Sequence, residues 1–199
     1  MIIRKELNID LAKTLKIISK NYGNNGNLET KILKSILNRF EAYLQEKKGI
    51  RYDIVDCVIA SGITNIYNLF LRANALQEMF NKDRETFKKV VIGQKRVANI
   101  LKKVKDLPDI NEKLFEKKEE KDLYKKAKEI SGYIEDLLEK WDFKKCLDKL
   151  FELRPFIDNF FDNVFVMVEN EKIRKNRLAL LNFVKEIFRK YGDFSKIEI

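Results

Sequence analysis

Apolar residues recur at three- and four-residue spacing along nearly the whole chain, the period of amphipathic helices rather than strands. Leu28, Ile32, Ile36, Phe40 and Tyr43 form the first clear stripe. Asn27 is the predicted N-cap of that helix, after a Gly/Asn turn at Tyr22 to Gly26, and the helix is predicted to end near Gly49. A shorter helix, Asp53 to Ala60, breaks at Gly62. The next begins around Thr64 and sets Ile66, Leu69, Phe70, Ala73, Leu76 and Phe80 on one side. From Arg84 to Lys105, Phe87, Val90, Val97, Leu101 and Val104 point inward. Lys88, Lys95, Asn99 and Lys102 then fall on the opposite face, flanked by Lys89, Arg96 and Lys103.

Asp106 to Asn111, with Pro108, is the clearest loop and the one obvious division of the chain. Beyond it, Leu123, Ala127, Ile130, Ile134, Leu137 and Trp141 make another helical stripe. Pro155 suits the first position of a helix predicted over Phe156 to Val168, where its missing N–H costs no intrahelical bond. Ile173, Leu180, Leu181, Val184, Ile187 and Phe188 anchor a last helix, Glu171 to Tyr191. The predicted fold class is all-α, a helical bundle of about seven to eight helices. Composition agrees: with seven Gly and two Pro in 199 residues, 45% hydrophobic and 36% charged, the chain suits long helices joined by short turns. Its length allows one large domain or two small ones.

The chain has no His, which excludes Ser-His-Asp and Cys-His catalysis and His-based metal sites. Cys57 and Cys146 stand far apart with no partner cysteine nearby, so neither a zinc site nor a disulfide framework is expected, in keeping with a reduced, cytoplasmic setting. There is no Walker-type glycine loop and no metal-loop spacing, so no catalytic residue is assigned and no cofactor is expected in this chain. The longest uncharged stretch, Cys57 to Leu71, is too short and too polar to span a bilayer, and no signal peptide is read at the N-terminus. No membrane partner is expected.

Net charge is +10 and unevenly placed. Nine basic and two acidic residues lie between Lys82 and Lys105, whereas Glu112 to Lys145 carries ten of each. A local basic surplus suits a polyanionic partner, although a lysine-rich surface kept for solubility gives the same count.

Three segments concentrate candidate chemistry. In Gly93-Gln-Lys-Arg-Val-Ala-Asn-Ile100, Lys95, Arg96 and Asn99 project over little more than one helical turn. Two cations there suit phosphates, and the Asn99 amide suits a base edge or a neighbouring helix. In Leu153 to Met167, Asp158 and Asp162 lie among Phe156, Phe160, Phe161 and Phe165. Carboxylates beside so much apolar surface need partners: either Arg154 or an arginine of the last helix, or a cytosine amino group with Phe161 stacked on an unpaired base. In Glu169 to Leu181, Arg174, Lys175 and Arg177 occupy the first turns of a helix, where the dipole disfavours cations unless an anion compensates. Arg72 poses the same question.

Gln94-Lys-Arg-Val-Ala-Asn-Ile-Leu101, Phe160-Phe-Asp-Asn-Val-Phe-Val-Met167 and Arg174-Lys-Asn-Arg-Leu-Ala-Leu-Leu181 closely resemble the C-terminal region of bacterial glycyl-tRNA synthetase β subunits. Arg51-Tyr-Asp-Ile-Val-Asp56, Arg72-Ala-Asn-Ala-Leu76 and Asp193-Phe-Ser195 fit the same pattern in the same order. The six matches span Arg51 to Ser195; the first fifty residues are similar in general character alone. Gln94 stands where the pattern usually has Asn, Cys57 for Ala, Phe165 for Met and Asn170 for Asp.

The resemblance implies an all-helical DALR-type anticodon-binding domain over 51–199, of the kind shared with arginyl-tRNA synthetases, with helices of 1–50 leading into it as part of one structural unit. It also implies a fragment of a larger subunit. Its expected partners are the anticodon loop of glycine tRNA, the rest of the β subunit and an α subunit that carries the class II active site and uses ATP and Mg. No DNA partner is implied. The RNA-contacting candidates are Arg72, Lys95, Arg96, Asn99, Lys102, Lys103, Arg154, Asp158, Phe161, Arg174, Asn176 and Arg177. Lys95, Lys102 and Lys103 would hold phosphates, and the arginines and Asn99 would make the nearer contacts. The competing readings are a helical subunit-docking module and a nonspecific RNA-binding module.

Overall fold

The computed structural model describes residues 1–22 and 26–199. Among them the chain forms α1 (Leu11–Tyr22), α2 (Gly26–Lys48), α3 (Tyr52–Ile59), α4 (Ile66–Lys82), α5 (Arg84–Leu101), α6 (Lys118–Glu139), α7 (Phe143–Phe151), α8 (Arg154–Asn163) and α9 (Glu171–Arg189). Short 3-10 turns lie at Glu112–Leu114 and Phe194–Lys196. The all-α expectation holds, and no strand is formed among the described residues.

Helix starts follow capping chemistry. Asn65 accepts from the Asn68 N–H at 3.0 Å, Asp83 from Thr86 at 2.9 Å and Asp142 from Lys145 at 3.2 Å. Each satisfies a donor that an α-helix leaves free in its first turn. Gly49 and Gly62 take positive φ just beyond α2 and α3, a conformation that penalises any Cβ. The predicted turn at Tyr22 to Gly26 falls largely on residues 23–25, outside the described residues; α2 already contains Asn27, which is therefore not its cap.

Two predicted boundaries are corrected. α7, with Phe143, Cys146, Leu147 and Leu150 buried along one face, lies in a stretch where no helix is predicted. α8 stops at Asn163 rather than running to Val168, because Val164 turns extended and the following residues alternate in and out.

One apolar core runs from Leu11 to Ile197. α9 packs against both α5 and α6, α8 wedges between those two, and α4 joins α5 to α7. The C-terminal turn folds back over α3 and α5. There the Asp193 N–H donates to the Cys57 carbonyl at 2.9 Å, and the fully buried Asp53 carboxylate accepts from Arg51 at 2.6 Å and from the Glu198 N–H at 2.7 Å. The N-terminal helices are tied to the same body, since Thr64 donates to Asp10 at 2.6 Å and the Leu11 N–H to the Thr64 carbonyl at 3.2 Å. No helix among the described residues is long and apolar enough to cross a membrane.

Candidate nucleic-acid interface

α5 is the helix on which the basic surplus is displayed. At about 100° per residue, and setting Gln94 at zero, the buried Gly93, Val97, Val90, Leu101, Phe87 and Val91 occupy an arc from about 260° round to about 60°. Lys102, the αR cap of the helix, Lys95, Asn99 and Arg96 follow in that order from about 80° to about 200°, and Lys103 lies in the turn just beyond. Lys95 is half-buried and the other four are exposed. The predicted polar stripe is therefore real and continuous.

Its charges are unspent. Among the described residues no carboxylate pairs with Lys88, Lys89, Lys95, Lys102 or Lys103. Some lysines elsewhere are neutralised: Lys126 by Glu152 at 2.7 Å and Glu129 at 3.0 Å, Lys144 by Glu78 at 2.6 Å, and Lys145 by Asp142 at 2.8 Å. Hydrogen bonds to those carboxylates hold all three amines above the ordinary lysine range.

The far edge of the stripe meets α8. The Arg96 guanidinium lies over the Phe161 ring, 4.2 Å from its centre, and that ring packs edge-on against Phe160 at 5.6 Å. The stack pre-orients the fork of donors. It also occupies one face of Phe161, so this ring positions Arg96. Arg154 pairs with Asp158 at 3.2 Å across one turn of α8, and both line the α5–α8 seam beside Lys89 and Gly93. Asp158 thus has the local partner that was one of its two readings. The Asn99 side chain makes no hydrogen bond among the described residues.

The structure removes three candidates from this face. Arg72 is 4% exposed; it donates to Asn68 at 2.7 Å and to the carbonyls of Lys190 and Tyr191 at 2.7 and 2.8 Å. It closes the C-terminal end of α9, where orphan carbonyls and the helix dipole favour a cation. Burial pushes its pKa below the ordinary arginine value. Arg177, 3% exposed, is gripped by Glu120 at 3.0 Å, Glu116 at 3.0 Å and the Phe165 carbonyl at 3.0 Å. Asn176, 1% exposed, takes the Asn111 N–H at 2.7 Å and returns a bond to its carbonyl at 3.1 Å. All three have spent their hydrogen-bonding groups on the fold.

Arg174 is intermediate. It is half-buried and donates to the Val168 and Glu169 carbonyls at 2.9 and 3.4 Å. Of the anions expected for these cations, Asp158, Asp162 or a phosphate, neither aspartate is the one found: Arg177 uses Glu120 and Glu116, and Lys175 uses Glu171 at 2.8 Å. Together Arg174 and Arg177 fix the backbone of residues 164–170, which holds out Phe165, 72% exposed, and Met167.

On the opposite edge of the stripe lies a group that sequence reasoning did not assemble. A half-enclosed cavity of about 140 Å³ between α5, α9 and the C-terminal turn is lined by Gln94, Ala98, Lys185, Arg189, Asp193 and Ser195, among others. Gln94 is 4% exposed and its Nε2 has no hydrogen-bond partner. A buried amide inside a helical pattern was the available signal.

Residues 90–199 match the family model described as the DALR anticodon binding domain. The chain belongs to that family. It is also 36% identical over 197 residues to the glycine–tRNA ligase beta subunit of Sulfurihydrogenibium sp., which covers 99% of this chain and 27% of that protein. The beta subunit of Pasteurella multocida is 32% identical with all of this chain covered and 29% of its own length, and that of Shouchella clausii is 35% identical over 83% of this chain. The chain thus spans about a quarter of the length of the curated relatives it matches. In the two longer alignments the similarity takes in the first fifty residues, where no motif was read.

Proposed function

We propose that this chain is the anticodon-reading part of a glycine–tRNA ligase beta subunit and that the exposed face of α5, with the α5–α8 seam, receives the anticodon loop of glycine tRNA. The observation that carries the reading is the unpaired cationic stripe of a DALR-family helix. Lys95, Lys102 and Lys103 hold phosphates, which fixes register without reading sequence. Arg96, braced on Phe161, and Asn99 stand among them with free donors for base edges. Glycine codons begin with GG, so the anticodons end in two cytosines and demand acceptors for amino groups together with donors for O2 and N3. Ligation itself, with its ATP and Mg, belongs to a separate alpha subunit, and this chain catalyses nothing alone. It works in the cytoplasm, where its tRNA is.

The test is titration of the chain, and of a Lys95→Ala, Arg96→Ala, Lys102→Ala variant, into a labelled glycine anticodon stem-loop at several salt concentrations. Each lost phosphate contact on a single-stranded loop lowers the log–log salt slope by about 0.7, so the triple variant, which loses the phosphate contacts of Lys95 and Lys102, is expected to bind more weakly with a slope flatter by about 1.4. Unchanged affinity sinks the reading and leaves subunit docking in its place. Equal binding to a stem-loop whose two cytosines are changed to uracil reduces the domain to a nonspecific RNA cradle.

A further inference from the structure

We infer that the cavity beside Gln94 is a base pocket that takes one of the two anticodon cytosines and selects it against uracil. The inference rests on the anticodon-loop reading above and adds the place and the chemistry of one base contact.

Size comes first. Cavities of about 150 Å³ hold a single six-membered ring, as an engineered benzene site does, and this one measures about 140 Å³. One pyrimidine ring is of that size. Position comes second. Gln94 and Ala98 stand at about 0° and 40° on α5, next to Lys102 and Lys95 at about 80° and 100°. A backbone lying along those lysines passes the cavity mouth, whose far side carries Lys185 and Arg189 of α9. Lys185 has no anionic partner among the described residues, and Arg189 reaches Glu186 at a loose 3.8 Å. Phosphates on either side of a turned-out base therefore meet cations.

The polar lining decides which base. Gln94 brings a buried donor with nothing to donate to, a group that costs free energy until an acceptor arrives. Water serves in the free protein, and the O2 or N3 of cytosine serves in the complex. Asp193 brings the acceptor. Its Oδ1 takes the Ser195 N–H at 3.1 Å and the Ser195 hydroxyl at 2.6 Å, which fixes the carboxylate at the head of the C-terminal turn. Its Oδ2 is uncommitted among the described residues. Cytosine offers an amino group where uracil offers a carbonyl oxygen, so a carboxylate attracts the first and repels the second. A carboxamide can turn over to suit either base, but a carboxylate cannot, so the discrimination rests on Asp193. Phe188 and Phe194, both buried and packed edge to face at 5.1 Å, form a rigid apolar wall.

The experiment compares the chain with Asp193→Asn and Gln94→Met variants, using glycine anticodon stem-loops in which each of the last two cytosines is changed singly to uracil. The wild type is expected to lose roughly 5- to 150-fold in affinity at the pocketed position, the range for one good base contact. Asp193→Asn keeps the oxygen that caps the turn and exchanges the free acceptor for a donor. It is expected to abolish or invert the preference at that position alone, with the other position and the salt slope unchanged. Gln94→Met keeps volume and removes the donor; it should weaken the cytosine complex and carries the test if the first variant fails to fold. Wild-type discrimination that survives in both variants overturns the pocket while anticodon reading stands. No RNA binding by the wild type overturns the reading and the pocket together.

Discussion

Replacing Arg177 by Met separates a brace from a base reader. Arg177 donates to the fully buried Glu120 through Nε at 3.0 Å and through a terminal nitrogen at 3.3 Å, and to the Phe165 carbonyl at 3.0 Å. Truncation leaves the Glu120 charge inside the protein with two backbone donors, the N–H groups of Glu116 at 3.0 Å and Lys117 at 2.8 Å. Removing one partner of a buried ion pair costs about 3–5 kcal/mol, and those two amides place the expected loss near the lower end. The bond to Glu116, which is 55% exposed, adds little. For a chain of this size about 3 kcal/mol lowers Tm by roughly 6–12 °C.

Urea denaturation followed by far-UV circular dichroism reads the loss directly. Arg177→Met combined with Glu120→Gln should recover much of it, because the stranded charge is gone and the coupling of the pair is what the cycle measures. Arg96→Met is the control on the exposed face. It removes a stack on Phe161 worth about 0.5–1 kcal/mol, so its midpoint barely moves, yet its affinity for the anticodon stem-loop falls. An Arg177→Met protein with a wild-type denaturation midpoint and weakened RNA binding would make Arg177 a base reader and not a brace.

Three further outcomes follow from other parts of the core. A Cβ at Gly192 would lie 2.8 Å from the Cys57 carbonyl oxygen and 2.9 Å from its sulfur, so Gly192→Ala should lose about 1–3 kcal/mol in urea denaturation as the C-terminal turn is pushed off α3. Burial pushes the Cys146 thiol up to about 12 and that of Cys57 well above its ordinary range, so both should resist a thiol-specific reagent in the native protein and react on unfolding; rapid labelling of the folded chain counts against this packing. Burial also holds the Tyr191 hydroxyl, which donates to the Arg72 carbonyl at 2.8 Å, well above the ordinary tyrosine value of about 10. Its folded-state value is the higher one, so its contribution is complete below about pH 10 and is lost as pH rises towards that value; Tyr191→Phe should flatten the alkaline fall in stability.

What the sequence made legible is what repeats locally. The stripes of α2, α4, α5, α6 and α9 are long enough for their period to stand out, and α5 shows its buried and basic faces in the order predicted. α7 was missed although its buried residues, Phe143, Cys146, Leu147 and Leu150, keep the helical spacing of three and four. The overrun of α8 has a physical cause: Val164, Phe165, Val166 and Met167 are apolar and continue the stripe, but their burial alternates in, out, in, out. That is a period of two, and two β-branched residues within it favour extended backbone. The buried arginines were illegible for a further reason. Arg177 and Glu120 are 57 positions apart, and the carbonyls that Arg72 caps lie 118 and 119 positions away.

The cations therefore sort by what surrounds their carbon stems rather than by charge. An arginine four residues from Asn68 on a helix whose flanks are apolar is drawn inward, and its fork finds the backbone carbonyls that end another helix. Three of its planar donors are satisfied there one by one, in a geometry that a lysine ammonium cannot match. The lysines of α5 stay out, since desolvating a compact ammonium without a carboxylate costs more than its packing returns. Hence the arginines that hold this fold together and the lysines left for a polyanion come from one composition, and the excess of charge on α5 persists because no neighbouring helix supplies a carboxylate to cancel it. In the function proposed above, an anticodon loop brings the missing negative charge, and Arg96, held on Phe161 at the edge of that field, reads what the lysines attract.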